Sequence, residues 1–263
     1  MVALRDPRPA KAIFLRVGRG EVKVITFGSL KGGVGKTTCA AFLAQALASK
    51  GSRVLATDID ANNNLTDYFL RDAAPQELEA RNVRHVLAAG MKPMEAVHRS
   101  ALGVDVLPAT PALHSVGVEL ASDPGALLRF PATLHRLDYD FIIIDSPPAL
   151  VLELRAALYA ADLVLVPIAF TRWTIAGFQL LRHELQKVVE TTGAEPVLRV
   201  IPSCVTEKEA EQLLGMDSWC STRAAILRSG AVKAASTSGR PLKADSRSWV
   251  EFQALADEIE SMK

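Results

Sequence analysis

The chain is expected to fold as an α/β protein, a doubly wound, mostly parallel sheet with helices on both faces. Three observations lead there. Strand-like and helix-like segments alternate along nearly all of the 263 residues. Several strand-like segments, FIIID at 141–145 and DLVLVPIAF at 162–170 among them, are continuously apolar, the pattern of strands covered on both faces. The first strand-like segment runs straight into a glycine- and lysine-rich loop, SLKGGVGKTT at 29–38, and a helical segment follows at once.

Taken in order, EVKVITFGS (21–29) reads as the strand that enters the loop, and KTTCAAFLAQALASK (36–50) as a helix stopped by Gly51. RVLATDID (53–60) is a second strand, and the polar, Ala-rich stretch 70–98 suits short surface helices. GVDVLPAT (103–110) and FIIID are strands, LRAALYAA (154–161) is helical, and DLVLVPIAF is another buried strand. A long helix over 174–192, a strand over 197–203, a short helix over 208–215, a last strand over 224–228 and a closing amphipathic helix over 246–263 complete the reading. Residues 12–27 also accommodate a hairpin around Gly18–Gly20, which would add an antiparallel edge strand.

Composition narrows the class. Apolar residues are 49% and charged residues 22% of the chain, enough for a substantial core and too balanced for global disorder. No apolar run reaches membrane-spanning length, and residues 1–20 are basic without a signal-peptide core. Cys39, Cys204 and Cys220 form no metal-ligand spacing, which suits a reducing cytoplasm. The formal charge of +1 is unevenly spread: net +4 over residues 1–24, net +5 over 220–248, and therefore −8 over the rest. A basic segment on an acidic body is either a polyanion contact or an ordinary solvated face.

The loop carries the chemistry. Gly32, Gly33 and Gly35 let successive backbone N–H groups turn inward toward phosphate oxygens, and the helix start behind them adds partial positive charge. Val34 lies between the glycines, Lys36 is placed to reach the β- and γ-phosphates, and Thr37, followed by Thr38, to put a hydroxyl on Mg²⁺. Asp58, Asp60 and Asp145 stand at strand ends, where sheets of this class bind ligands.

KGGVGKTT resembles the deviant Walker A motif of P-loop NTPases, [KR]-G-G-x-G-K-[ST], in which the usual first glycine is dispensable (Leu30 here) and a signature lysine follows, Lys31. RVLATDIDANNNLTDYFL resembles the V-L-L-I-D-x-D-P-Q-G-N-x-T segment of the ParA/Soj branch of partition ATPases, with Ala61, Asn62 and Asn63 replacing Pro-Gln-Gly. YDFIIIDSPPAL resembles that branch's Walker B segment, and AAILRSGAVKAASTSGRPL its late segment, with Lys233-Ala234-Ala235 running through the place of Glu-Ala. The resemblance implies a P-loop ATPase domain over residues 22–263 behind a short basic extension, 1–21. It implies ATP and Mg²⁺ as cofactors, catalytic roles for Lys31, Lys36 and Asp60, the last positioning water, and metal-site roles for Thr37, Asp58 and Asp145. Lys31 would cross a dimer interface to the partner's nucleotide.

Three functions follow from different readings. The first is a partition ATPase of the cytoplasm and nucleoid. Its ATP-dependent homodimer would bind double-stranded DNA without sequence preference through Arg223, Arg228, Lys233, Arg240, Lys243 and Arg247, on loop and strand-end positions. A ParB-like centromere-binding or adaptor protein would stimulate hydrolysis. The second is a MinD-like or protein-cargo-positioning ATPase. A membrane helix is disfavoured because the tail holds Glu251, Asp257, Glu258 and Glu260 against Lys263, and anionic lipid would repel it. The third, an iron–sulfur reductase relative, lacks suitably placed cysteines, and a metabolic P-loop enzyme such as a small ligase or kinase would show a substrate site that is not visible in the sequence.

Overall fold

The structure, a computed structural model, describes residues 22–123, 125–169, 172–216 and 220–262. The N-terminal extension and the hairpin considered around Gly18–Gly20 lie outside them. The elements run β1 (Lys23–Phe27), α1 (Lys36–Ser49), β2 (Val54–Asp58), α2 (Asn64–Leu70), α3 (Pro75–Ala80), α4 (Val83–Ala88), α5 (Pro93–Ala96), β3 (His98–Arg99) and β4 (Asp105–Leu107). A 3₁₀ turn (Pro111–Ser115) leads into α6 (Val116–Glu119), α7 (Ala126–Leu134), β5 (Phe141–Asp145), α8 (Leu152–Ala160), β6 (Leu163–Ile168) and α9 (Arg172–Thr192). The chain ends through β7 (Val197–Val205), α10 (Glu207–Leu214), β8 (Ile226–Leu227), α11 (Gly230–Ser238) and α12 (Arg247–Glu260).

The strands form one sheet in the order β3-β4-β2-β5-β1-β6-β7-β8. Among the described strands the pairings are parallel except for β3 against β4, an antiparallel edge that the sequence did not signal. Period-two alternation divides each central strand between two cores. In β5, Phe141 and Ile143 pack with α1, α2, α11 and α12, whereas Ile142 and Ile144 pack with α4, α7 and α8. A third cluster seals β6 and β7 under α8, α9 and α10 through Val164, Leu181, Val200 and Leu213. Because α1 is enclosed by sheet, α2 and α12, it is apolar nearly all round; its buried Gln45 is satisfied by the Ala41 carbonyl at 3.2 Å and the Tyr68 hydroxyl at 2.9 Å. The apolar face of α12, with Phe252, Leu255 and Ile259 buried, closes this core, and truncating Phe252 to Ala would cost about 3–5 kcal/mol.

β7 is longer than the sequence suggested. It continues to Val205 because a register irregularity between Ser203 and Val205 lets Cys204 adopt φ 57° and the ladder resume against β8. The carboxyl ends of β1, β2 and β5 meet at one edge, with Asp58 and Phe27 each opposite Asp145 in register. That edge is where the glycine-rich loop leaves β1.

Candidate active site

The loop between β1 and α1 takes its shape from two glycines with left-handed backbone, Gly33 at φ 73° and Gly35 at φ 93°. Gly35 is constrained twice, since a Cβ there would come within 2.9 Å of the Ser203 hydroxyl on β7. Cβ atoms at Gly32 and Gly33 would meet only open space, so the outer wall of the loop is free to approach a ligand. Val34 is buried and pins the loop between them. Gly35 caps α1 without a side-chain bond, and the first turn of α1 has no acidic residue. Its leading N–H groups therefore present positive potential to the loop's concavity, the ordinary basis of phosphate binding.

Lys36 is only 6% exposed, and its ammonium donates to the Lys31 carbonyl at 3.5 Å across the loop. Burial lowers its pKa, and the carboxylates of Asp145 and Asp60 oppose that shift. Thr37 donates to Asp145 Oδ2 at 2.6 Å, while Asp145 Oδ1 is buried without a hydrogen-bond partner among the described residues. An orphaned carboxylate oxygen beside a threonine hydroxyl fits a hard, oxygen-seeking cation such as Mg²⁺, which keeps several waters and needs few protein ligands.

Asp58 is differently engaged. Its Oδ2 accepts from the backbone N–H of Thr66 at 2.9 Å and the Thr66 hydroxyl at 2.8 Å, and its Oδ1 from the Asp60 N–H at 3.1 Å. Desolvation raises its pKa to about 6, against these three donors, and Asp60 adds to the rise. Asp145 rises for the same first cause and then through repulsion from Asp58. The structure thus places both carboxylates at one sheet edge. Asp145 keeps an oxygen unpartnered, whereas Asp58 anchors the loop that follows β2. Asp60 Oδ1 accepts from the N–H and the side-chain amide of Asn62, both at 3.0 Å, forming a tight turn into α2. Asn63, where the resembled segment has glycine, sits in the left-handed region at φ 46°, a conformation asparagine tolerates. The substitution therefore preserves the turn.

The sequence reading missed three groups. Thr66 ties Asp58 to the loop after β4 by also accepting from the Ala109 N–H at 2.9 Å. The Ser203 hydroxyl lies under Gly35 and within 3.5 Å of the Cys39 sulfur, whose pKa burial pushes up to about 12. Leu30, at the departed glycine position, packs toward Gly177 of α9. Only Thr66 had a signal, because it falls on the threonine of the resembled segment.

The six basic residues proposed to meet a polyanion are all exposed, but they are not one patch. Glu251 accepts from the Leu227 N–H at one end of β8, and Glu258 accepts from the Arg223 N–H at the other, so α12 spans the strand and Arg223 lies at the end opposite Arg228. Lys233 stands on α11 and Arg247 opens α12, rather than on loops or strand ends as expected. The cause is that Ser229 and Ser246 cap helices the sequence signalled weakly or one residue early. Arg247 is also engaged, with Glu251 at 3.3 Å and Glu207 at 3.5 Å. Trp219 and the side chain of Trp173 lie outside what the structure describes.

The chain is similar along most of its length to known proteins. A protein-family model for the AAA domain matches residues 22–199. The chromosome-partitioning ATPase Soj of Thermus thermophilus is 35% identical over 206 residues, 78% of each chain. The chromosome partitioning protein ParA of Myxococcus xanthus is 34% identical over 195 residues, covering 71% of this chain and 67% of that one. Among solved structures, an ATP complex of Cyanothece McdA carrying one aspartate-to-alanine substitution superposes with a TM-score of 0.79 at 25% identity, over 93% of this chain and 97% of the other.

Proposed function

Because the chain belongs to the Soj/ParA family of partition ATPases, we propose that two ATP-loaded copies close face to face, bind DNA without sequence preference, and separate when a partner protein stimulates hydrolysis. The enzyme is an ATPase, and the ATP complex of a structural neighbour supports ATP as its nucleotide, with Mg²⁺ suited to the Thr37–Asp145 pair. The cargo is a chromosome or plasmid, the activator a ParB-like adaptor, and the setting the cytoplasm and nucleoid. The apolar face of α12 is spent in the core, which weakens the MinD-like reading.

The residues divide the work. The loop N–H groups and Lys36 hold the phosphates and neutralise charge that grows in the transition state. Thr37 and Asp145 would hold Mg²⁺, which when bound would supply further charge neutralisation. Asp60, with one oxygen committed to Asn62, keeps Oδ2 to orient the attacking water. Phosphoryl transfer depends on positioning more than on covalent chemistry, so basal turnover is slow until a partner completes the site.

The observation that carries the dimer is the second lysine. Lys31 is half-buried, with its carbonyl turned in toward Lys36, and in the proposed dimer its side chain adds positive charge where two triphosphates would otherwise repel. Light scattering of Lys31→Ala with a nonhydrolysable ATP analogue tests this. The variant should retain nucleotide affinity and lose ATP-dependent dimerisation; a dimer as stable as wild type would remove the basis for the reading.

A further inference from the structure

α11 is tied to the nucleotide site at two places. The first tie is at its side: the Ser236 hydroxyl lies 3.5 Å from that of Thr38, in the first turn of α1 immediately after Thr37. The second is at its C-terminal end, where α2 grips it. The Tyr68 hydroxyl donates to the Arg240 carbonyl at 2.8 Å, and Arg71 donates to the Thr237 carbonyl at 3.0 Å. Tyr68 is itself held by the Gln45 amide at 2.9 Å and by edge-on packing of Phe42 at 5.5 Å. Gly239, which ends α11 at φ 63°, has no room for a side chain: a Cβ would fall 3.1 Å from the Tyr68 carbonyl and 3.3 Å from Arg71.

The other end of α2 is fixed by the site. Asp58 holds Thr66 through both its N–H and its hydroxyl, and Asp60 makes the turn that starts the helix. Two steps of direct contact therefore lead from the carboxylates to the stretch bearing Lys233, Arg240 and Lys243: Asp58 to Thr66 within α2, then Tyr68 and Arg71 to the end of α11. A phosphate oxygen is a stronger acceptor for the Thr38 hydroxyl than the neutral Ser236 hydroxyl, because the bond to it is charge-assisted. Nucleotide thus competes for the first tie, while the second runs from the carboxylates through α2 to the end of α11.

We propose that Tyr68 and Ser236 are positioning residues that set α11 according to the nucleotide state, and that this re-aims Lys233, Arg240 and Lys243 toward DNA. The inference rests on the DNA reading above and specifies its regulation within one protomer, in addition to any effect of dimerisation. By linkage, the factor by which ATP strengthens DNA binding equals the factor by which DNA strengthens ATP binding, so the coupling is a single measurable ratio.

The experiment measures the affinity of one duplex for the full chain with a nonhydrolysable ATP analogue and with ADP, for wild type, Tyr68→Phe, Ser236→Ala and the double variant. Amide hydrogen exchange over residues 230–240 is followed with and without the analogue. The wild-type ratio should exceed one, and each variant should lower it about fivefold, the worth of one net hydrogen bond. Analogue affinity without DNA should stay within about twofold for Tyr68→Phe and rise for Ser236→Ala, which removes the competitor for Thr38, and the thermal midpoint should be little changed, separating positioning from loss of fold. Exchange in α11 should respond to the analogue in wild type and not in the double variant. A double variant that keeps the wild-type ratio and exchange response overturns the inference while leaving the DNA reading intact. A wild-type ratio of one overturns the DNA reading, and a wild-type α11 whose exchange ignores the analogue overturns the coupling as well.

Discussion

Asp145→Asn should stabilise the nucleotide-free protein while abolishing Mg²⁺-dependent hydrolysis. Asp145 is fully buried, one oxygen is satisfied only by Thr37 and the other by nothing among the described residues, and the buried carboxylate of Asp58 stands opposite it on the neighbouring strand. Burial and mutual repulsion both raise its pKa, so the ionised form is a liability to the empty fold. An asparagine keeps the volume and the bond with Thr37 and removes the charge. Against the gain, Lys36 loses its larger electrostatic partner and keeps Asp60. Neutralising a buried charge of this kind is worth about 2 kcal/mol net, which for a chain this size raises the thermal midpoint by about 4 °C.

The pH dependence carries the same signature. The Asp58 pKa is raised to about 6, so between about pH 4 and pH 6 the folded chain holds protons that the unfolded chain has released. Stability from this pair is therefore highest below that window and falls as pH rises through it. Urea unfolding at pH 5 and pH 7 should show a larger loss for wild type than for Asp145→Asn, whose remaining carboxylate no longer faces a like charge. If the variant lowers stability by about 1 kcal/mol or more at pH 7, or leaves the wild-type pH slope unchanged, the reasoning about strain stored at the metal site is wrong.

Other outcomes are as specific. Asp60→Ala should bind ATP normally and hydrolyse it about 10²–10⁴-fold more slowly; turnover at the wild-type rate would move the water-positioning role elsewhere. Gly35→Ala should lose ATP binding in equilibrium dialysis, because φ 93° and the 2.9 Å approach of Ser203 leave no place for the methyl group. Arg228→Glu with Lys233→Glu should weaken retardation of all duplexes alike and flatten the salt dependence by about 0.9 in log–log slope for each phosphate no longer neutralised, with ATP binding intact.

How far the sequence revealed this protein depends on the range of the contact. β1, the loop and α1 were legible because a strand, a glycine-rich turn and an Ala-rich helix are each local signals in succession. β5 and β6 were legible from unbroken apolar runs. α2 was not, since seven residues, NLTDYFL, are too short to show a helical period. α7 was hidden by Pro131 inside it, and α11 by its opening glycine and its Ser/Thr-rich second half. Of the site, Lys36, Thr37 and Asp145 could be named from residue types and strand ends. What could not be read was the division of labour between the aspartates. Asp58 looks like Asp145 in the sequence, and only Thr66 eight residues on shows that it holds a loop. The contact of Tyr68 with Arg240 joins residues 172 apart, and no pattern along the chain announces it.

In the proposed function, ATP turns this chain into a DNA-binding form that does not read sequence. The most direct measurement is the binding of two unrelated duplexes, across a range of salt, to protein loaded with a nonhydrolysable ATP analogue, with ADP, or with no nucleotide. Both duplexes should bind tightly and equally only with the analogue, with affinity falling steeply and linearly in log–log form as salt rises. Equal binding in all three nucleotide states, or a strong preference for one duplex, would contradict it.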